Sequence, residues 1–177
     1  LPLGPIDRLE MHLLLAQWRL WDEQIAKLEL EIEKRQAKNA TAAVLATIPG
    51  CAAYGSLALA SRIGSIKRFP RPASLANYWG LTPGCRNSGE ATDRLGSITK
   101  QGSAIARFVL GHMVLHVLRR DGRMKAWYGR IKRRRGSKIA RVAVMRRLAT
   151  IIWHMVKHHE PYVAGGPPRR KLADKAA

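Results

Sequence analysis

The chain has 177 residues and 19.8 kDa and is 46% hydrophobic, enough to bury one core, which excludes an unstructured tail. Its 32 Lys+Arg against 12 Asp+Glu give a formal charge of +20, and self-repulsion on that scale points to a polyanionic partner, nucleic acid first. Cys51 and Cys85, the two cysteines, form no CxxC or Cys/His zinc spacing, which argues against a zinc module or a disulfide-dense secreted scaffold and fits a reducing cytoplasm. No apolar run reaches the roughly 18 residues of a membrane span, and no signal-peptide order opens the chain, so no membrane partner is expected. A start at Leu1, close to a helix, reads as a cut from a longer protein.

Charge divides the chain. Residues 1–40 hold 6 Lys/Arg and 7 Asp/Glu, a net −1, so the whole positive excess falls on 41–177, which hold 26 and 5, a net +21. In the first part Met11, Leu14, Trp18, Trp21, Ile25, Leu28 and Ile32 alternate spacings of three and four, the a/d seam of a heptad. The spacing predicts one helix over about 5–38, roughly 50 Å long and too long to pack fully on so small a domain. Its seam either pairs with another chain, making a homo-oligomer, or folds back on its own domain.

Asn39 to Thr41 supplies caps for a short helix over 42–47, and Ile48-Pro49-Gly50 breaks it before a second helix over 52–63 that Gly64 closes. Helix, Pro-Gly turn and helix resemble a helix-hairpin-helix, whose turn amides hold a DNA phosphate. Ala52 stands where that motif carries its second glycine, so a purely structural turn is the alternative. Leu75, Tyr78 and Trp79 of a short helix, LANYWG, are expected to face the core. Between Thr82 and Gly102 few large apolar residues occur and four glycines do, which predicts an exposed loop or short hairpin. Helical spacing returns in Ile105, Phe108, Val109, His112, Leu115 and His116, up to Arg120. A further helix through Met124, Trp127, Tyr128 and Ile131 runs into the cluster Lys132 to Lys138, and a last one, over about 138–158, puts Val142, Met145, Leu148, Ile152, Met155 and Val156 on one side. Residues 161–177 read as a disordered basic tail. The fold class expected is mostly α: a coiled-coil-type connector helix over 1–40, then a helical domain over 41–160.

Metal-dependent phosphodiester chemistry requires converging carboxylates. Residues 41–177 offer Glu90, Asp93, Asp121, Glu160 and Asp174, of which Glu90 and Asp93 sit together on the loop; no metal site is expected from this chain. His112/His116 and His154/His158 have i,i+4 spacing but no neighbouring Glu of the zinc-hydrolase kind, and they read as core or interface residues. Ser88 lies in the glycine-rich loop with Arg86, Arg94 and Lys100 nearby, cations suited to holding a phosphate while a hydroxyl attacks it. An ordinary turn serine is the competing reading. Arg133, Arg134, Arg135 and Lys138 are candidate phosphate contacts.

The order of IPG, RFP, LANYWGL, a serine-glycine pair and GSITKQG over about 44–157 resembles the C-terminal transposase domain of the insertion-sequence family one-hundred-and-ten, which includes the Piv-type invertases. The resemblance implies a DNA transposase or recombinase whose nucleophile falls on Ser88, a coiled-coil connector to a RuvC-like domain that would carry Mg²⁺, and in several members a structured guide RNA. It implies DNA as partner, a bacterial or archaeal cytoplasm, and no activity for this piece alone. A non-catalytic basic module for binding nucleic acid and dimerising is the alternative.

Overall fold

The structure is a computed structural model and describes residues 4–85 and 95–165. Helix α1, Pro5–Ala37, is followed by α2, Ala40–Leu45, and α3, Ala53–Ile63. After a 3-10 turn at Ile66–Arg68 comes α4, Pro72–Tyr78, and then the strands β1, Pro83–Cys85, and β2, Leu95–Ile98. Three helices close the fold: α5, Ala104–Arg120; α6, Gly122–Arg135; and α7, Ser137–His158. The mostly α expectation holds, and the two strands pair antiparallel, Pro83 opposite Ile98 and Cys85 opposite Leu95, with a bulge between.

Local chemistry explains the boundaries. The Asn39 side chain accepts from the Ala42 amide at 3.0 Å and caps α2, and Ser103 caps α5 through the Ala106 amide at 3.2 Å. Asp121 both ends α5 and starts α6, where its carboxylate accepts from the Met124 amide at 2.9 Å. Gly136, with φ +85°, breaks the helical path between α6 and α7.

The core assembles around α7, which packs against α2, α4, α5, α6 and the 3-10 turn. Val144, Leu148, Ala149 and Ile152 are fully enclosed, and the Trp153 indole donates to the Phe69 carbonyl at 2.8 Å, tying the helix to the approach of α4. Against it α5 presents Ala106, Leu110, Gly111, Met113 and Val117. The Arg141 guanidinium donates to the Gly111 carbonyl at 2.9 Å, which the missing side chain of Gly111 leaves accessible. One side-chain expectation fails here. Tyr78 is exposed, its ring tilted against that of Phe69 with Arg68 over it. Phe108 and Leu115, which keep the helical spacing expected of α5, face outward. Of the core-or-interface reading of the histidines, the core alternative does not hold: His112, His116 and His158 are exposed and His154 is half-buried.

Helix α1 buries none of its residues. Its C-terminal end, where Ile32 and Gln36 are half-covered, lies against α2 and α3. The seam residues Met11, Leu14, Trp18, Trp21, Ile25 and Leu28 are all exposed, and so is a second stripe that the seam did not reveal: Ile6, Leu9, Leu13 and Leu20. Within the helix, Trp18 donates to Asp22 at 2.6 Å and Arg35 pairs with Glu31 at 3.0 Å, both at i,i+4.

Asp121 is the only buried carboxylate among the described residues, at 1% exposure. Besides the Met124 amide it accepts from the Tyr162 hydroxyl at 2.8 Å and the Gly165 amide at 2.7 Å, so residues 161–165 are strapped across the α5–α6 corner. Burial alone would raise its pKa, but the bonds from Met124, Gly165, Tyr162 and Arg123 outweigh it and hold the carboxyl below its ordinary value. The stabilisation is therefore complete above the unfolded carboxylate pKa near ~3.9 and is lost as pH falls through the lower folded value. Asp121→Ala should cost about 2–4 kcal/mol in urea unfolding at neutral pH. Asp121→Asn should fall closer to the parent chain at low pH, since it cannot ionise; a difference between the two that does not change with pH would contradict this account.

Candidate nucleic-acid interface

The hairpin is held at its root by a crossing of two backbone segments, Tyr78 to Thr82 and Thr99 to Gly102. Gly80 has φ +66°, and a Cβ there would stand 2.0 Å from the Gln101 carbonyl oxygen; Gly102 has φ +99°, and a Cβ there would stand 2.0 Å from the Tyr78 carbonyl oxygen. Both positions therefore require glycine on two counts, handedness and close approach. The Thr99 amide donates to the Thr82 carbonyl at 2.9 Å and the Lys100 amide to the Gly80 carbonyl at 3.2 Å. Arg107 of α5 completes the crossing by donating from Nη1 to the Trp79 and Gly102 carbonyls at 3.1 and 3.2 Å. Trp79, fully buried, anchors the same turn in the core.

Beyond this root the chain leaves the described residues. Ser88, Arg86 and Arg94, with Glu90 and Asp93, lie in 86–94, outside them. Lys100 is described: it is exposed, with a left-handed φ of +54° that turns the chain from β2 into the crossing.

The hairpin stands beside the corner between α6 and α7. A cleft of about 440 Å³ separates them, lined by Leu81, Gly96 and Ser97 on one side and by Arg135, Lys138, Ile139, Val142 and Arg146 on the other. Arg135 also borders a second cleft, of about 340 Å³, with Trp127, Arg130 and Arg134. Three of the four basic positions read from the 132–138 run thus line clefts, and Arg133 lies exposed on the same helix. Sequence reasoning missed Arg130, Arg146 and Arg107. The first two are spaced one helical turn or two from the cluster and could have been found by projecting it along the helices; Arg107 had no local signal.

The helix-hairpin-helix reading receives a structural explanation for its glycine. Gly50 has φ +81°, and a Cβ there would meet the His116 side chain at 2.6 Å, so the Pro-Gly turn is packed onto α5. Cys51 beside it is buried and its thiol pushed up to about 12, far from a reactive thiolate. Among the described residues no three His, Cys, Asp or Glu side chains converge as metal ligands. Past residue 40 the described carboxylates are Asp121, committed to its cap, and Glu160; they do not fit Mg²⁺, which takes several hard oxygen ligands. No described helix is long and apolar enough to cross a membrane.

A helical, strongly basic domain with a rooted hairpin beside two arginine-bordered clefts fits the class that handles nucleic acid. Residues 42–129, from α2 into α6, match the model of the transposase IS116/IS110/IS902 family, which this segment is similar to. It is 30% identical over 148 residues to a transposase for insertion sequence element IS1111A of Coxiella burnetii, which covers 81% of this chain and 40% of the relative. A probable family 20 transposase of Pseudomonas aeruginosa is 27% identical over 81% of this chain and 44% of its own length. The pilin gene-inverting protein of Moraxella bovis is 29% identical over 81% and 47%. The chain thus spans less than half of each of these relatives.

If the crossing roots the hairpin, Gly80→Ala and Gly102→Ala should each lose about 2 kcal/mol or more of stability. Gly129→Ala on α6, where a Cβ would meet nothing within 4 Å, should gain about 0.5–1 kcal/mol. Urea titration of the three variants checks the contrast, and equal effects at all three would contradict it.

Proposed function

We propose that this chain is the serine-bearing part of a DNA transposase or recombinase. The observation that carries the reading is the rooted hairpin beside the basic α6–α7 corner, in a chain whose family segment spans the hairpin. Ser88 is the nucleophile. Its hydroxyl loses a proton, the Oγ–P bond forms as the bond from phosphorus to the leaving sugar oxygen breaks, and that oxygen takes up a proton. Arg86, Arg94 and Lys100 neutralise the charge that grows on the phosphate. Because carboxylates are scarce past residue 40, the active site is composite, with a Mg²⁺-carrying acidic domain supplied from outside the chain. The arginines of α6 and α7 hold DNA, and a structured guide RNA would satisfy the same phosphate-binding surface.

Assembled with the acidic domain, metal and any guide RNA, the protein should cleave DNA and become joined to it through Ser88. Ser88→Ala should fold and bind as the parent does yet form no adduct on a denaturing gel. Strand exchange by that variant would remove Ser88 from the chemistry and leave a non-catalytic binding module.

The connector helix α1 is the dimerising element. Two exposed apolar stripes on one helix, with 33 residues and none buried, favour association through it. Sedimentation should show a dimer or larger assembly, and charged residues in place of Trp21 and Ile25 should release monomers. A parent chain that sediments as a monomer at high micromolar concentration would overturn the assignment.

A further inference from the structure

We infer that the cleft between the hairpin and α7 seats one unstacked nucleotide of single-stranded DNA. Its composition separates this from a plain phosphate contact. Three cations, Arg135, Lys138 and Arg146, stand with an apolar floor of Leu81, Ile139 and Val142, and the described lining contains no carboxylate. A duplex backbone would draw mainly on the cations, since its bases are stacked inside the helix and leave an aliphatic floor largely uncovered. An unstacked base can cover such a floor with its flat apolar face, and the phosphates on either side of it meet the cationic rim. The volume, about 440 Å³, lies in the range of sites that enclose small ligands, about 300–1,000 Å³.

Two further features fit this occupant. Ile139 is 54% exposed on the first turns of α7, an apolar side chain at the cleft of which about half is left open to a ligand. The opposite wall is the hairpin root, fixed by the Gly80–Gly102 crossing, so the cleft is bounded by rigid elements on both sides. The choice of DNA over RNA rests on the proposed strand-exchange reading, because the hairpin that walls the cleft carries the serine loop; the nucleotide chemistry does not.

The test uses the full chain and an oligodeoxynucleotide carrying 2-aminopurine, whose fluorescence reports unstacking, alongside a duplex and an RNA of the same sequence. Ile139→Asn should weaken single-stranded DNA by about five- to tenfold and abolish the fluorescence change while leaving duplex affinity as it was. Lys138→Ala with Arg146→Ala should weaken all three ligands and lower the salt slope by about one per phosphate lost. Thermal unfolding of both variants controls for folding, and Val142→Thr, nearly isosteric, gives a second probe of the floor. Parental single-strand affinity in both floor variants, or an equal loss for duplex, would overturn the proposal. Tighter binding of the RNA with the same floor sensitivity would overturn the assignment to DNA. Ser88→Ala should leave every one of these affinities unchanged, so loss of the nucleophile assignment and loss of the cleft assignment are separate results.

Discussion

The backbone crossing of Tyr78–Gly80 with Gln101–Gly102 is the constraint on which the functional surface depends. Two chain segments pass so closely that any Cβ at either glycine would overlap a carbonyl oxygen. The crossing is fastened from below by Trp79 in the core and from the side by the Arg107 guanidinium, which bridges both segments. Whatever the residues between β1 and β2 do, they leave and rejoin the protein at a fixed place. Loops that carry chemistry depend on such a scaffold, because the entropy of ordering the loop has been spent at its base.

Electrostatics then marks the side of the molecule that suits the proposed nucleic-acid ligand. The positive charge is carried past residue 40, and the α6–α7 junction concentrates it: Lys132 to Arg135 end one helix, and Lys138, Arg141, Arg146 and Arg147 follow on the next. Cations at the end of α6 also suit its dipole. The one fully buried carboxylate among the described residues is kept away from this surface and used structurally, joining α5, α6 and the 161–165 segment. Arg147 packs over Trp127 with its guanidinium 4.9 Å from the ring centre, so part of the charge also braces α6 against α7.

Helix positions were legible where caps and glycines mark them in the sequence: Asn39 and Gly64 each stand at an observed boundary. The buried face of α5 was not legible. Phe108, Leu115 and Ile105 satisfy helical spacing as well as Val109, Met113 and Val117 do, and a helix apolar on most sides gives periodicity no means of choosing between them. Gly111 lies on the enclosed side, where the Arg141 guanidinium of α7 reaches its carbonyl, a tertiary contact that spacing does not announce. The length of α1 followed from its heptads, but its second stripe did not, because a one-seam template ignores residues that fall outside it. In the functional surface, the basic run was visible as a run; its meeting with Gly96 and Ser97 across a cleft is a tertiary event with no local signature.

The most direct test of the rooted hairpin is amide hydrogen exchange on the free chain, because it reads the hydrogen bonds of the crossing one by one. The amides of Leu81, Thr99 and Lys100, which donate to Ala76, Thr82 and Gly80, should be protected to about the same free energy as the core of α7 and exchange only when the domain unfolds. Exchange at those three amides on the timescale of an open loop, with α7 still protected, would contradict the account.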